Sequence, residues 1–251
     1  MPRTPRTFSH ASRAYTRTRE LTENWVKNWI VRENLCPFAK PLLDRPNALR
    51  IATSLAANNQ ELLTDFKTEV NLLKMRIAFE ERSNLMRTNI RMEDQGQETV
   101  SGHLCPEWPE STLLVVDNSD TDYLHTFHEL ILTSYDLQKH ILEDELLGHL
   151  QIVLFHPNAT HSLYSESSND NGESETLIAP KSFAIRSPFP TIHLLREKDI
   201  MAGVQGGLYK QPELIPARNA ATLEKMEEEA RGDNRGGVQM CWKHAVFNEE
   251  C

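Results

Sequence analysis

Apolar residues recur at helical spacing in several stretches of the chain and form short unbroken runs in others. Leu21, Trp25 and Trp29, with Val26 or Ile30, place a stripe on a helix from Leu21 to Arg32. Pro37 and Pro41 end it, because the residue before a proline is pushed towards extended backbone. Leu49 to Thr53 reads as a short strand. Leu62, Phe66, Val70, Leu73 and Ile77 then share one face of a helix from about Asn59 to Phe79. Thr112 to Val116 has strand length. Asp120 or Thr121 can cap a helix running to about Leu142, with Leu124, Phe127, Ile131 and Tyr135 as its apolar stripe. Leu150 to Phe155 is the clearest strand. A further helix is expected to begin near Ser187, with Ser187 as N-cap and Pro188 in its first turn, and to stop at Gly206-Gly207. A last short helix follows Pro216.

Between these elements the pattern dissolves twice, from Glu81 to Pro109 and from Asn158 to Lys181. Both stretches are expected to be polar inserted loops, at 81–109 and 158–181. Strand, helix, strand, helix, strand is the order of an α/β fold: a small sheet of at least three strands with crossover helices. The expected plan is a disordered basic segment over 1–20, one α/β domain over 21–226, and a polar tail over 227–251. There is no internal repeat.

Composition narrows the class. The chain has 251 residues, a net charge of -9, and 39% hydrophobic residues. That is enough chain to bury a core without disulfides or structural metals. The acidic balance argues against general nucleic-acid binding, and no apolar run is long enough to span a bilayer. A soluble protein with neither partner is expected. The four cysteines, Cys36, Cys105, Cys241 and Cys251, form no C-x-x-C pair. With no secretory signal they read as reduced thiols of an intracellular protein. The first nineteen residues hold no acid and are rich in Arg, Ser and Thr. A transit peptide has that composition, and so does a disordered tail. The compartment is the cytoplasm or, on the transit-peptide reading, a mitochondrion or plastid.

The candidate chemistry lies on residues far apart in the chain. His156 closes the clearest strand, on the side where α/β sheets bind ligands; the plain alternative is a histidine hydrogen-bonded to neighbouring loops. Arg186 and Ser187 stand at the start of the expected helix, where an anion is favoured. Against that, Pro188 and Pro190 remove two N–H groups and can make a rigid corner instead. His193 and Glu197 are four apart and share a face of that helix, as metal ligands do, and also as ordinary surface pairs do. Cys36 sits in a proline-bounded loop. It is a nucleophile only with a lowered pKa and a base nearby, and otherwise a buried inert thiol. Asp122, His125, His128 and Glu129 read as the solvated face of their helix. Cys36-Pro37 and Cys105-Pro106 match thiolate haem sites only as dipeptides.

The stretches Asn34-Leu-Cys-Pro-Phe-Ala-Lys40, Gln151-Ile-Val-Leu-Phe-His-Pro157 and Arg186-Ser-Pro-Phe-Pro-Thr-Ile-His-Leu-Leu-Arg-Glu197 occur in this order. Followed by Ile215-Pro-Ala-Arg-Asn219, they resemble the family called domain of unknown function 1415, over roughly Leu21 to Met226. The resemblance implies no activity. It implies that Cys36, His156, Arg186, His193, Arg196 and Glu197 lie on the family's motifs. The chain departs by longer loops before Glu110 and after Asn158, and by Ala184-Ile185 before Arg186.

Three readings follow. In the first, the chain is a small-molecule enzyme handling an anionic substrate. Cys36, His156, His193 and Glu197 are then catalytic, and Arg186, Ser187 and Arg196 hold the substrate. In the second, the domain binds or interacts without catalysis and the same residues are structural. In the third, His156 and His193, with Glu197 or Cys36, hold a metal. The sequence names no cofactor and gives no oligomeric state.

Overall fold

The strand Ser111–Val116 (β2) is buried at every position, so its two faces must both be covered by helices. The computed structural model describes residues 8–93, 108–160, 178–206, 211–232 and 236–248, and it shows that layering. β1 (Leu49–Ser54) runs parallel to β2. On the other side of β2 lies β4 (Thr191–Arg196), antiparallel, and β3 (Leu150–Phe155) pairs antiparallel with β4. The four-stranded mixed sheet has the order β1-β2-β4-β3, so the last strand in the chain is wedged between two earlier ones.

One face of the sheet carries α3 (Asn59–Glu93) and α4 (Phe127–Glu143). Leu62, Phe66, Val70 and Leu73 of α3, with Leu130, Leu137 and Ile141 of α4, pack on Ala52, Leu114, Val116, Ile192 and Leu194. The other face carries α1 (Phe8–Trp25), a π-helical segment Val26–Val31, α6 (Ile215–Gly232) and α7 (Gly237–Phe247). Trp25, Trp29, Leu223, Trp242 and Val246 there cover Leu113 and Val115. The short helices α2 (Ala39–Leu43) and α5 (Glu197–Gln205) flank the β4 side. No helix among the described residues is long and apolar enough to cross a membrane.

Several expectations are corrected. The segment after Ser187 is not one helix but β4 followed by α5. Thr191-Ile-His-Leu-Leu-Arg is a strand because Pro190 presets extended backbone and its carbonyl accepts the Val116 N–H, at 2.8 Å. With both faces covered it shows no period of two, and a short run of that kind is easily taken for helix.

The disordered segment 1–20 is helical from Phe8, and Thr18 is buried, its hydroxyl donating to Asp117 at 2.8 Å. The polar tail 227–251 contains the end of α6 and all of α7. The apolar residues Val238, Trp242, Ala245 and Val246 of α7 are buried. Part of the expected loop 81–109 is helix, because no Gly or Pro stops α3 before Glu93. What remains of the two expected loops at 94–107 and 161–177 lies outside the described residues. α4 starts later than expected, at Phe127, where Thr126 and Glu129 form a capping box.

Candidate functional site

Along β4 the side chains alternate between the two faces. Ile192 and Leu194 enter the α3–α4 core, which turns His193 and Leu195 towards the other layer. His193 pairs in register with Leu113 on one side and Val153 on the other. Above this row the π-helical segment and the Asn34–Lys40 loop form a roof. Between roof and sheet is a cavity of about 290 Å³ with almost wholly apolar walls. Trp25, Val26 and Ile30 close one side, and Phe155 lies under Trp25, ring on ring edge-on at 5.1 Å. Cys36 and His193 both line it.

Every stretch on which the family resemblance rests reaches this cavity. Leu35, Cys36 and Phe38 come from the first, Val153 and Phe155 from the second, His193 and Leu195 from the third, and Ile215, Pro216 and Asn219 from the last. The last stretch also holds the first. Asn219 donates from Nδ2 to the Leu35 carbonyl at 2.8 Å, and Arg218 donates to the Asn34 carbonyl.

The two chemical groups in the cavity are both biased towards neutrality. Burial pushes the Cys36 thiol up, against the weaker opposing pull of the Phe38 and Ala39 N–H groups and the Arg218 charge. Burial lowers the His193 pKa to about 4. The ring is partly buried and lines the cavity. His193 Nε2 lies 2.7 Å from Ser111 Oγ, and the Ser111 hydroxyl donates to the Leu194 carbonyl at 3.0 Å.

The other expected site residues lie elsewhere. His156 is 1% exposed, and both ring nitrogens are taken: Nδ1 accepts the Asn158 N–H at 3.0 Å and Nε2 meets the Leu124 carbonyl at 2.9 Å. It pins the turn at Leu124, whose φ of 53° is left-handed. Its pKa is lowered by burial. Arg186 is half-buried, donates from Nε to the Ala159 carbonyl at 3.1 Å, and lies over the Phe183 ring at 5.0 Å. Among the described residues no carboxylate pairs with it, but it does not line the cavity. Ser187 donates to the Phe189 carbonyl at 2.6 Å, and is a loop residue rather than a helix cap.

Arg196, 1% exposed, is held by Asp199 at 2.6 Å, Glu80 at 2.9 Å and Glu110 at 3.5 Å. Glu197 opens α5 and accepts from Gln151, so its expected partnership with His193 across one helical turn does not exist. Among the described residues no group of three or more His, Cys, Asp or Glu is placed to hold a metal ion. Cys36 is a free thiol.

A second, more open hollow of about 470 Å³ shares Phe38, Leu42 and Leu195 with the cavity and has Arg45, Glu110, Arg196 and Asp199 along it. Ser111 faces this hollow, so the Ser111–His193 hydrogen bond stands between the two spaces. Sequence reasoning missed Ser111, Trp25 and Asn219 as site residues. Period-two alternation through Ser111, Leu113 and Val115 would have put the serine on the cavity face.

The family described as "Protein of unknown function (DUF1415)" matches residues 17–94 and 102–232 of the chain. The match runs through most of the two stretches expected to be extra loops. No curated protein and no solved structure matches.

Proposed function

The chain belongs to that family, whose description carries no activity, and we propose from the cavity alone that the domain binds a small, largely apolar molecule between Cys36 and His193. The observation that carries this reading is the convergence of four separated stretches on one apolar cavity of about 290 Å³ lined by only a few polar side chains, Cys36, His193 and Asn219. Pockets of that make-up, apolar walls with few placed polar groups, are the usual form of small-molecule sites. The π-helical roof adds support, because π-helical turns are rare and concentrate at functional positions.

Binding is favoured over covalent catalysis. A nucleophilic cysteine needs a depressed pKa, and that of Cys36 is raised. An imidazole with a pKa of about 4 is a weak base at neutral pH. The anionic substrate expected from Arg186 finds less support, since that guanidinium stands outside the cavity.

An apolar cavity of about 150 Å³ is enough for benzene, so this one has room for two fused rings. Naphthalene is expected to bind saturably, to change the fluorescence of Trp25 and to raise the melting temperature. The variant Val153→Phe, which fills the cavity from β3, is expected to lose that binding while remaining folded. Absence of saturable binding, or equal binding by the filled variant, sinks the reading.

A further inference from the structure

We infer that the cavity selects an uncharged ligand carrying one hydrogen-bond donor, such as an alcohol, a phenol or an amide N–H, and that His193 Nδ1 is the acceptor that recognises it. This rests on the small-molecule reading above and narrows it to a ligand class.

The argument runs through a single proton. The Ser111 hydroxyl has one hydrogen and gives it to the Leu194 carbonyl at 3.0 Å. At 2.7 Å from His193 Nε2 it can then only accept, so Nε2 carries the ring hydrogen. A neutral imidazole holds one hydrogen, which leaves Nδ1 as a bare lone pair. Among the described residues nothing hydrogen-bonds Nδ1, and it is not sealed away from open space as fully buried orphan atoms are. The space that His193 lines is the cavity. Ser111 is therefore a positioning residue: it fixes which nitrogen faces the ligand.

The remaining walls decide the rest of the ligand. The Nδ1 lone pair repels an anion and offers an ether or a carbonyl no hydrogen; the Cys36 S–H that shares the cavity is only a weak donor. Among the described residues no lysine or arginine side chain lines the cavity to reverse that preference. Arg218, the charge that acts on Cys36, reaches across to the Asn34 carbonyl and the Asn219 side chain instead. A ligand donor buried here without its acceptor would lose its hydrogen bond to water, so the match is enforced from both sides.

The test compares naphthalene, 2-naphthol, 2-methoxynaphthalene and 2-naphthoate at pH 7, by titration against the full chain. Naphthol is expected to bind on the order of tenfold tighter than the methoxy compound, as one buried hydrogen bond allows, and naphthoate to bind weakest. Ser111→Ala frees Nε2 and lets the ring exchange its hydrogen between nitrogens. The naphthol preference should then fall to near parity, and the imidazole ¹⁵N spectrum should report loss of the single Nε2–H tautomer, a change that mere destabilisation would not produce. Parity between naphthol and its methyl ether in the unaltered chain, or tightest binding of naphthoate, overturns the inference and leaves the cavity reading intact. If naphthalene itself does not bind, the cavity reading falls and the inference falls with it.

Discussion

His193 and His156 are both held neutral by burial, and they do different things with that neutrality. His156 spends both nitrogens on backbone groups and closes a turn. His193 spends one and keeps the other beside open space. Both should make the fold acid-sensitive. The unfolded chain takes up a proton near the ordinary histidine value of 6.5, while folded His193 resists until about 4. Between those values the unfolded state binds more protons, so stability rises with pH. The His193 contribution is complete above about pH 6.5 and is lost as the pH falls towards 4, amounting to about 3 kcal/mol at most. Thermal melts over that range should show a falling midpoint, and His193→Leu should flatten part of the slope; a pH-independent midpoint would refute the assignment. At this scale the sequence was half legible. It singled out Cys36 and His193, which do share a cavity, but it paired His193 with Glu197 on one helix, whereas His193 lies in β4 and only Glu197 is helical. Ser111 carried only a weak signal, its period-two alternation with Leu113 and Val115, because a hydroxyl on a strand looks like any polar position.

Among the elements, α7 changes the account most. The Trp242 ring lies tilted against Phe183 at 6.1 Å and edge-on to Phe247 at 5.8 Å, and α7 packs on α1 and α6 behind the cavity roof. Trp242→Ala should cost about 3–5 kcal/mol, as large aromatic truncations in cores do. Urea denaturation would measure it, and a loss under 1 kcal/mol would show that α7 is not part of the core. Its buried positions, 238, 242, 245 and 246, have plain helical spacing. The acidic run Glu227 to Glu229 before them and the Gly236-Gly237 pair beside them mask that spacing in the sequence. α1 was hidden differently: its buried residues include Thr18 and Thr22, which do not register as apolar although their hydroxyls are satisfied internally. α3 was legible because Leu62, Phe66, Val70 and Leu73 keep helical spacing, even though Glu69 and Arg76 are buried beside them. β4 was not, because strands covered on both sides lack the alternation that marks a strand.

For the whole molecule, Arg196 is the joint between layers. Its guanidinium meets Glu80 of α3, Asp199 of α5 and Glu110 at the entry to β2, while Arg76 and Arg45 hold the same Glu110 from other sides. Arg196→Met should destabilise by about 3–5 kcal/mol, because it takes the buried cation away from Glu110, Glu80 and Asp199 at once and leaves Arg76 and Arg45 to hold Glu110. Equilibrium unfolding at neutral pH would detect that loss; a variant as stable as the parent would show that Arg76 and Arg45 suffice. The wedged position of β4 also bears on how the chain is made. Synthesis delivers β1, β2 and β3 first, and until Thr191–Arg196 leaves the ribosome the inner edges of β2 and β3 have nothing between them. Leu113 to Val116 is then an apolar strand with an open edge, the kind of template that pairs with other chains. Completion of the sheet waits for the nascent chain to pass residue 196. The growing polypeptide must keep that edge covered, by its own helices or by a chaperone, while residues 117–196 are being made.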